Sequence, residues 1–448
     1  MFLAKIVLSY KVIYLYYTTL LQIFQVQQGR EVWYNGGMRL SKSFIKTLRD
    51  APKDETARNG ALLTRAGYIH KEMAGVYDYL PLGLRVIENI KGVIREELNA
   101  LGCQEVLMSA LQNPEPWEKT GRFSDAEVDI WFKTELSAGG VLGLAPTHEE
   151  PITEMLKSYI SSYKDLPLAV YQFQTKFRNE LRAKSGILRG REFLMKDLYS
   201  FHTSEEDLDK FYTEVEGAYA RIFDRLGLGA ETFETFASGG IFSKYSHEYQ
   251  TFLPVGEDTV YYNADKSTVL NKEVYNDEVL NDLGVAGQEF SETTAAEVGN
   301  IFKLKFKYSE PLGLKYGDEN NEQKVVYMGC YGIGVSRVMG VIAEKFADDK
   351  GLVWPEAVAP FKYYLVAIGD EGTKVAEELY AGHEDLILYD DRNARPGEKF
   401  ADAELMGIPH RIVVSGKTLE SGAVEIADRA TGESKLISLD EVKNLLTK

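Results

Sequence analysis

KFRNELRAKSGILRGREFLMKD, residues 176–197, lies between two strand-like runs at 171–177 and 192–201, so a glycine-containing loop joins them as a hairpin. The segment carries seven basic residues (Lys176, Arg178, Arg182, Lys184, Arg189, Arg191 and Lys196) against three acidic ones, in a chain with a formal net charge of -17. Charge runs usually face water, and a solvated basic tip is the plain reading of this segment taken alone. In an acidic protein it also fits a loop aimed at a polyanion, because only a local patch can hold one against the repulsion of the whole chain. Overall charge therefore neither supports nor excludes a nucleic-acid partner.

Upstream, apolar residues recur at helical spacing (Leu84, Ile87, Ile90, Ile94, Leu98, Leu101), which predicts a long amphipathic helix ended by Gly102. Tyr79-Leu80-Pro81-Leu82-Gly83 precedes it as a loop, and residues 105–109 after it read as a short strand. Downstream, 204–227 reads as a second amphipathic helix that Gly239-Gly240 interrupts. Gly329-Cys330-Tyr331-Gly332-Ile333-Gly334-Val335-Ser336-Arg337 puts glycines ahead of an arginine at the start of an apolar helix, so a ligand could approach the backbone closely. Tight helix-sheet packing explains the same glycines, and the spacing is neither that of a P-loop nor that of a dinucleotide fold.

Pro355 and Pro360 bracket a linker, after which strands at 363–368 and 411–414 alternate with helical segments as in a small α/β domain. With 448 residues, 44% of them hydrophobic, the chain can bury two or three cores. Cys103 and Cys330 stand far apart with no CxxC, which argues against a disulfide framework and a structural zinc site and fits a reducing, cytoplasmic setting. Residues 1–37 differ in texture. Their apolar run at 12–29 is short and holds Thr18, Thr19, Gln22, Gln25, Gln27 and Gln28, so a non-native or poorly ordered extension is expected in place of a membrane anchor. Peptides from 1–37 in the native protein would overturn that expectation.

Three ordered strings together resemble the class II aminoacyl-tRNA synthetases: YDYLPLGLRVIENIKGVIREEL, then FRNE with RGREF, then GCYGIGVSR. Ala145-Pro146-Thr147-His148-Glu149-Glu150, with YDDR, RPG and KFADAEL between 389 and 405, is similar to the prolyl family of bacterial type. The resemblance covers nearly everything from Met38 to Lys448 and implies an α+β architecture: a catalytic domain (38–357) with an antiparallel sheet flanked by helices, then a smaller α/β anticodon-binding domain (358–448). It further implies ATP-dependent activation of L-proline, transfer to tRNA(Pro), Mg2+ on the phosphates, and a homodimer through the helix after Pro81. Only a short segment, 250–296, including a polar, strand-poor stretch, stands where many relatives carry an editing domain, so no editing in cis is expected.

The resemblance also assigns residues. Arg178 would contact the α-phosphate and the substrate carboxylate, and Arg189 and Arg337 the γ-phosphate. Phe193 would stack on adenine, Glu180 accept its hydrogen bond, and Glu297 ligate magnesium. Thr147 and Glu149 would meet the secondary ammonium of proline, with His148 structural. Asp391, Arg392, Arg395 and Lys399 would read the anticodon loop, where unstacked bases expose their edges. Such a site suits the chemistry. The attacking carboxylate is ionised at neutral pH and needs no general base, so positioning and fixed positive charge carry the reaction. Arginine stays charged and offers phosphate a planar fork.

The chain departs from the family at Lys305, where relatives often have glycine, and at Glu398, where they often have an apolar residue. Extra residues also precede Ser246-His247-Glu248. Two readings compete with a prolyl enzyme: a synthetase for another amino acid of the subclass, and a regulatory or binding paralogue without aminoacylation activity. Paralogues of that kind commonly lose the phosphate-binding arginines, and Arg178, Arg189 and Arg337 are all present.

Overall fold

A computed structural model describes residues 37–181, 183, 185–238 and 245–447. The expected extension, save Gly37, and Gly239-Gly240 lie outside the described residues. Helix α1 (Pro81–Ala100) begins with its proline in the first turn, where a missing N–H costs no hydrogen bond. It ends at Gly102, whose φ of +78° belongs to the left-handed region that glycine enters freely. Of the predicted stripe, Ile87, Ile90, Ile94 and Leu98 are buried in the main core, joined there by Val86, while Leu84 and Leu101 are half-buried. The strand expected at 105–109 is shorter and starts earlier, at Gln104–Glu105, because Met108 is held irregularly by the side chain of Gln172.

Strands β1 (Leu168–Phe177) and β2 (Glu192–His202) form the predicted hairpin, and helix α2 (Glu205–Arg225) follows with Ser204 as its N-cap. Strands β3 (Thr232–Ser238), β4 (Tyr245–Phe252), β5 (Phe290–Lys305) and β6 (Tyr327–Ile333) come next, then helix α3 (Val335–Phe346). One nine-stranded sheet unites them, with β5, β6, β2 and β1 adjacent and antiparallel and Gln104–Glu105 at the far edge. Helices α1, α2 and α3 contribute to one apolar cluster against it.

Two expectations need correction. Residues 250–296 were read as strand-poor, yet Asp258–Asn263, Val269–Asn271 and the start of β5 all pair within the catalytic sheet. Alternate apolar positions, Val260 and Val269 among them, face a small core that the polar composition hides. The basic hairpin is also less exposed than its charge suggests. Lys176 and Lys196 are fully buried on opposite faces of the sheet, the former against Asp197 and His148, the latter against Tyr219 and the carbonyl of Tyr331.

Lys305 takes φ +50° at a bulge in β5, and its ammonium meets Glu205 at 2.6 Å. Glycine adopts that backbone conformation without strain, while a lysine there costs on the order of 1 kcal/mol.

Residues 363–438 build a second sheet of five strands, extended at its edge by Met38–Arg39. Arg39 fixes that edge by a bidentate pair with Glu377 at 2.6 and 2.7 Å. The seam to the catalytic region is aromatic: Tyr68 packs on Trp354 with ring centroids 5.2 Å apart, and both side chains donate to the carbonyl of Met406.

Candidate active site

A cavity enclosing about 630 Å3, open mouth included, lies on the face of the sheet opposite α2. Arg178, Glu180, Arg189, Phe193, Glu297 and Arg337 all line it, donated by β2, β5, α3 and the hairpin loop. The hairpin brings Arg178 and Phe193 together, with the guanidinium carbon 5.2 Å from the ring centroid. Burial, and then the like charge of Arg337, lower the proton affinity of Arg178. Positive charge is thus concentrated in a poorly solvated place, where it acts most strongly on an anion.

Arg337 sits in the first turn of α3. Its Nε donates to the carbonyl of Leu188 at 2.7 Å and its Nη1 to that of Glu297 at 2.6 Å, which fixes the plane of its fork. Gly332 leaves the cavity wall open, since a Cβ there would stand 2.8 Å from the Asn300 side chain. Arg189 is more exposed: its side chain is 42% accessible and bridges Glu180 at 2.8 Å and Glu257 at 3.2 Å. Glu180 is therefore the ion-pair partner of a nearby arginine as well as a residue of the cavity wall.

The 145–150 loop stands beside this cavity, with Arg178 Nε 3.4 Å from the carbonyl of Pro146. Thr147 donates to Glu149 at 2.6 Å, while Tyr199 and Cys330 approach the other Glu149 oxygen at 3.5 Å each. Arg122 completes the group and was not singled out from sequence. It holds Glu150 at 2.9 Å, lies 3.7 Å from Glu149, and donates to the Tyr308 hydroxyl at 2.8 Å. Burial pushes Glu150 up to about 7 despite Arg122. A lone arginine in a charged loop has no periodicity or motif to mark it, so only the fold reveals this partner.

Behind the loop, His148 is fully buried, its Nε2 3.1 Å from the carbonyl of Ser109 and its Nδ1 2.6 Å from Lys176 Nζ. Lys176 pairs with Asp197 at 2.8 Å, and Gln172 donates to the same carboxylate at 2.9 Å. Burial first, then the charge of Lys176, lowers the pKa of His148 from 6.5 to about 4. Between these values the unfolded chain binds a proton that the folded chain refuses, so stability falls as pH drops below about 6.5. Wild type is expected to lose about 2 kcal/mol more than His148→Gln between pH 7 and pH 5, read from urea midpoints. Equal losses in the two proteins would remove His148 as the cause.

In the second sheet's region, the residues expected to read an anticodon have mixed fates. Arg392 is folded back on Asp390 and Asp402, each at 2.7 Å, and Lys399 is buried with its amine on the carbonyls of Ala367 and Asp390. In this structure their charges shape the turn into helix α4 (Pro396–Met406). Asp391 accepts from the backbone and hydroxyl of Ser41. Arg395 is exposed at the start of α4.

Residues 132–346 match the family model of the class II tRNA synthetase core domain (G, H, P, S and T), and 357–448 that of the anticodon-binding domain. The proline-tRNA ligase of Ehrlichia chaffeensis is 38% identical over 427 residues, covering 92% of this chain and 100% of the relative. The chain belongs to the proline-tRNA ligase family. A Geobacillus member is 34% identical across 90% of this chain, but its alignment runs to 563 positions, so it carries residues with no counterpart here. Among solved structures, prolyl-tRNA synthetase from Cryptosporidium parvum complexed with L-proline and AMP superposes with a TM-score of 0.68 at 19% identity, covering 86% of this chain and 74% of that one. The Giardia lamblia enzyme in complex with prolyl-adenylate gives 0.69 at 21%, covering 85% and 74%. The shared fold is that of class II synthetases.

Proposed function

We propose that this member of the proline-tRNA ligase family activates L-proline with ATP and transfers it to tRNA(Pro). The carrying observation is that three arginines from separate stretches, Arg178, Arg189 and Arg337, line one cavity next to the Thr147–Glu149 loop. The proline carboxylate attacks the α-phosphorus, its bond to pyrophosphate breaks, and prolyl-adenylate forms. The terminal ribose hydroxyl of the tRNA then attacks the adenylate carbonyl and AMP leaves. Arg178 spans the α-phosphate and the carboxylate, while Arg189 leaves Glu180 and Glu257 to join Arg337 on the γ-phosphate. Phe193 stacks on adenine beside Glu180, and Thr147 and Glu149 hold the secondary ammonium. Proline-dependent ATP-pyrophosphate exchange, compared across the amino acids, tests this reading; exchange with another amino acid or with none would reject it.

Magnesium suits the phosphate end. Glu248 and Glu297 lie on paired strands, and burial, followed by the charge of Glu297, pushes Glu248 up to about 7. Two mutually repelling carboxylates, with the Asn300 amide donating to Glu297 at 2.8 Å, form an oxygen-rich donor set. Glu297 and Glu248 would hold the ion, which when bound offsets phosphate charge.

Residues 250–296 are absorbed into the catalytic sheet, so the purified chain is expected to show no hydrolysis of alanyl-tRNA(Pro) above background, checked by deacylation of the mischarged tRNA. Arg395, exposed, is the residue we assign to the anticodon loop. A homodimer would use the polar side of α1 and the sheet edge at Gln104–Glu105, next to the exposed Leu107; sedimentation tests it. No helix of the described residues is long and apolar enough to cross a membrane. A cytoplasmic location, with no stable membrane association, follows from the proposed substrates.

A further inference from the structure

Away from the catalytic cavity, three elements bring ligating side chains to one point: Glu216 from α2, Glu234 from β3 and His247 from β4. Their nearest ligand atoms all lie within 4.8 Å of one another, and His247 Nδ1 is 3.5 Å from an oxygen of each carboxylate. Bonds of about 2.1 Å from a tetrahedral ion set its ligand atoms about 3.4 Å apart. We propose that this cluster binds a divalent transition-metal ion of the zinc type through one imidazole and two carboxylates. The scarcity of cysteine excludes a thiolate site and says nothing about this donor set.

Two further observations point to a ligand. The Tyr249 hydroxyl is buried and has no hydrogen-bond partner among the described residues, yet it lies close enough to Glu234 and Glu216 to feel both charges. Tyr249 faces Glu234 directly across the β3–β4 ladder, so its orphaned oxygen is available to a water on the ion. The second observation is charge. An imidazolium carries one positive charge and can offset only one of the two carboxylates that approach His247 Nδ1 at 3.5 Å. A dication offsets both. Tyr212, whose hydroxyl is 3.0 Å from the same His247 nitrogen, can donate to the carbonyl of Ile301 at 3.2 Å and leave that nitrogen's lone pair to the metal. An ion here would clamp the middle of α2 to β3 and β4, and His247 pairs with Ile301 of β5, the strand that carries Glu297 and Asn300.

The test uses the full chain stripped of metal and titrated with Zn2+ or Co2+. Wild type is expected to take up one equivalent, to show the intense visible absorption of four-coordinate Co2+, and to unfold several degrees higher with zinc. Glu234→Gln and His247→Asn should each weaken binding at least tenfold and abolish the thermal shift, while His70→Ala, in the exposed His70, Glu72 and Asp78 group, should change neither. Absence of uptake by wild type would overturn the proposal, as would uptake that survives both cluster variants or depends on His70. If a cluster variant fails to fold, the wild-type Co2+ spectrum decides, since six-coordinate weak absorption alone is incompatible with the site.

Discussion

Arg178→Ala is expected to lower proline-dependent ATP-pyrophosphate exchange by about 10³-fold, the scale lost when one preorganised donor to developing charge is removed. The fold should survive. The hydrogen bond of Arg178 to Pro146 is long at 3.4 Å, and the neighbouring charge of Arg337 works against it, so the native state loses little when the guanidinium goes. Thermal unfolding within a degree or two of wild type, together with the lost exchange, is the expected pair of results. Arg178→Lys should fall between, because an ammonium keeps the charge without the planar fork that can bridge two oxyanions. Exchange that persists in Arg178→Ala would refute the role given to this residue.

The strings that marked the catalytic region in the sequence are those where local physics and position agree. α1 announces itself because Ile87, Ile90, Ile94 and Leu98 of its stripe meet the same core, and the glycines before Arg337 because β6 runs straight into α3 at the cavity. Lys176 shows why other parts were not legible. On β1 the residues Gln172, Gln174 and Lys176 share one face, which reads as the solvent side of a half-buried strand. The 145–150 loop covers that face and supplies His148 to it, a contact 28 residues away that no spacing on β1 records. Lys196 misled in the same way, because a charge is read as exposed until its partner, Tyr219, is known. The strands at 258–263 and 269–271 were missed because their apolar alternation serves cores of a few side chains.

That buried lysine carries the second large effect. Lys176→Met is expected to destabilise the chain by about 3–5 kcal/mol in urea unfolding, because it leaves Asp197 buried without its cation. Restoring balance should restore stability: in Lys176→Met/Asp197→Asn most of the loss should return, so the two changes are strongly non-additive. A second signature follows from His148, whose Nδ1 lies 3.9 Å from Asp197. Lys176 helps hold this imidazole neutral, and without it the carboxylate draws a proton onto the ring at higher pH. The single variant should therefore lose less stability than wild type between pH 7 and pH 5. Because His148 stands between Thr147 and Glu149, the same variant should raise KM for proline more than it lowers kcat, as expected of a positioning residue that acts through the loop. A Lys176→Met protein as stable as wild type would mean that the charge on Asp197 is absent or already satisfied, and the pH signature would vanish with it.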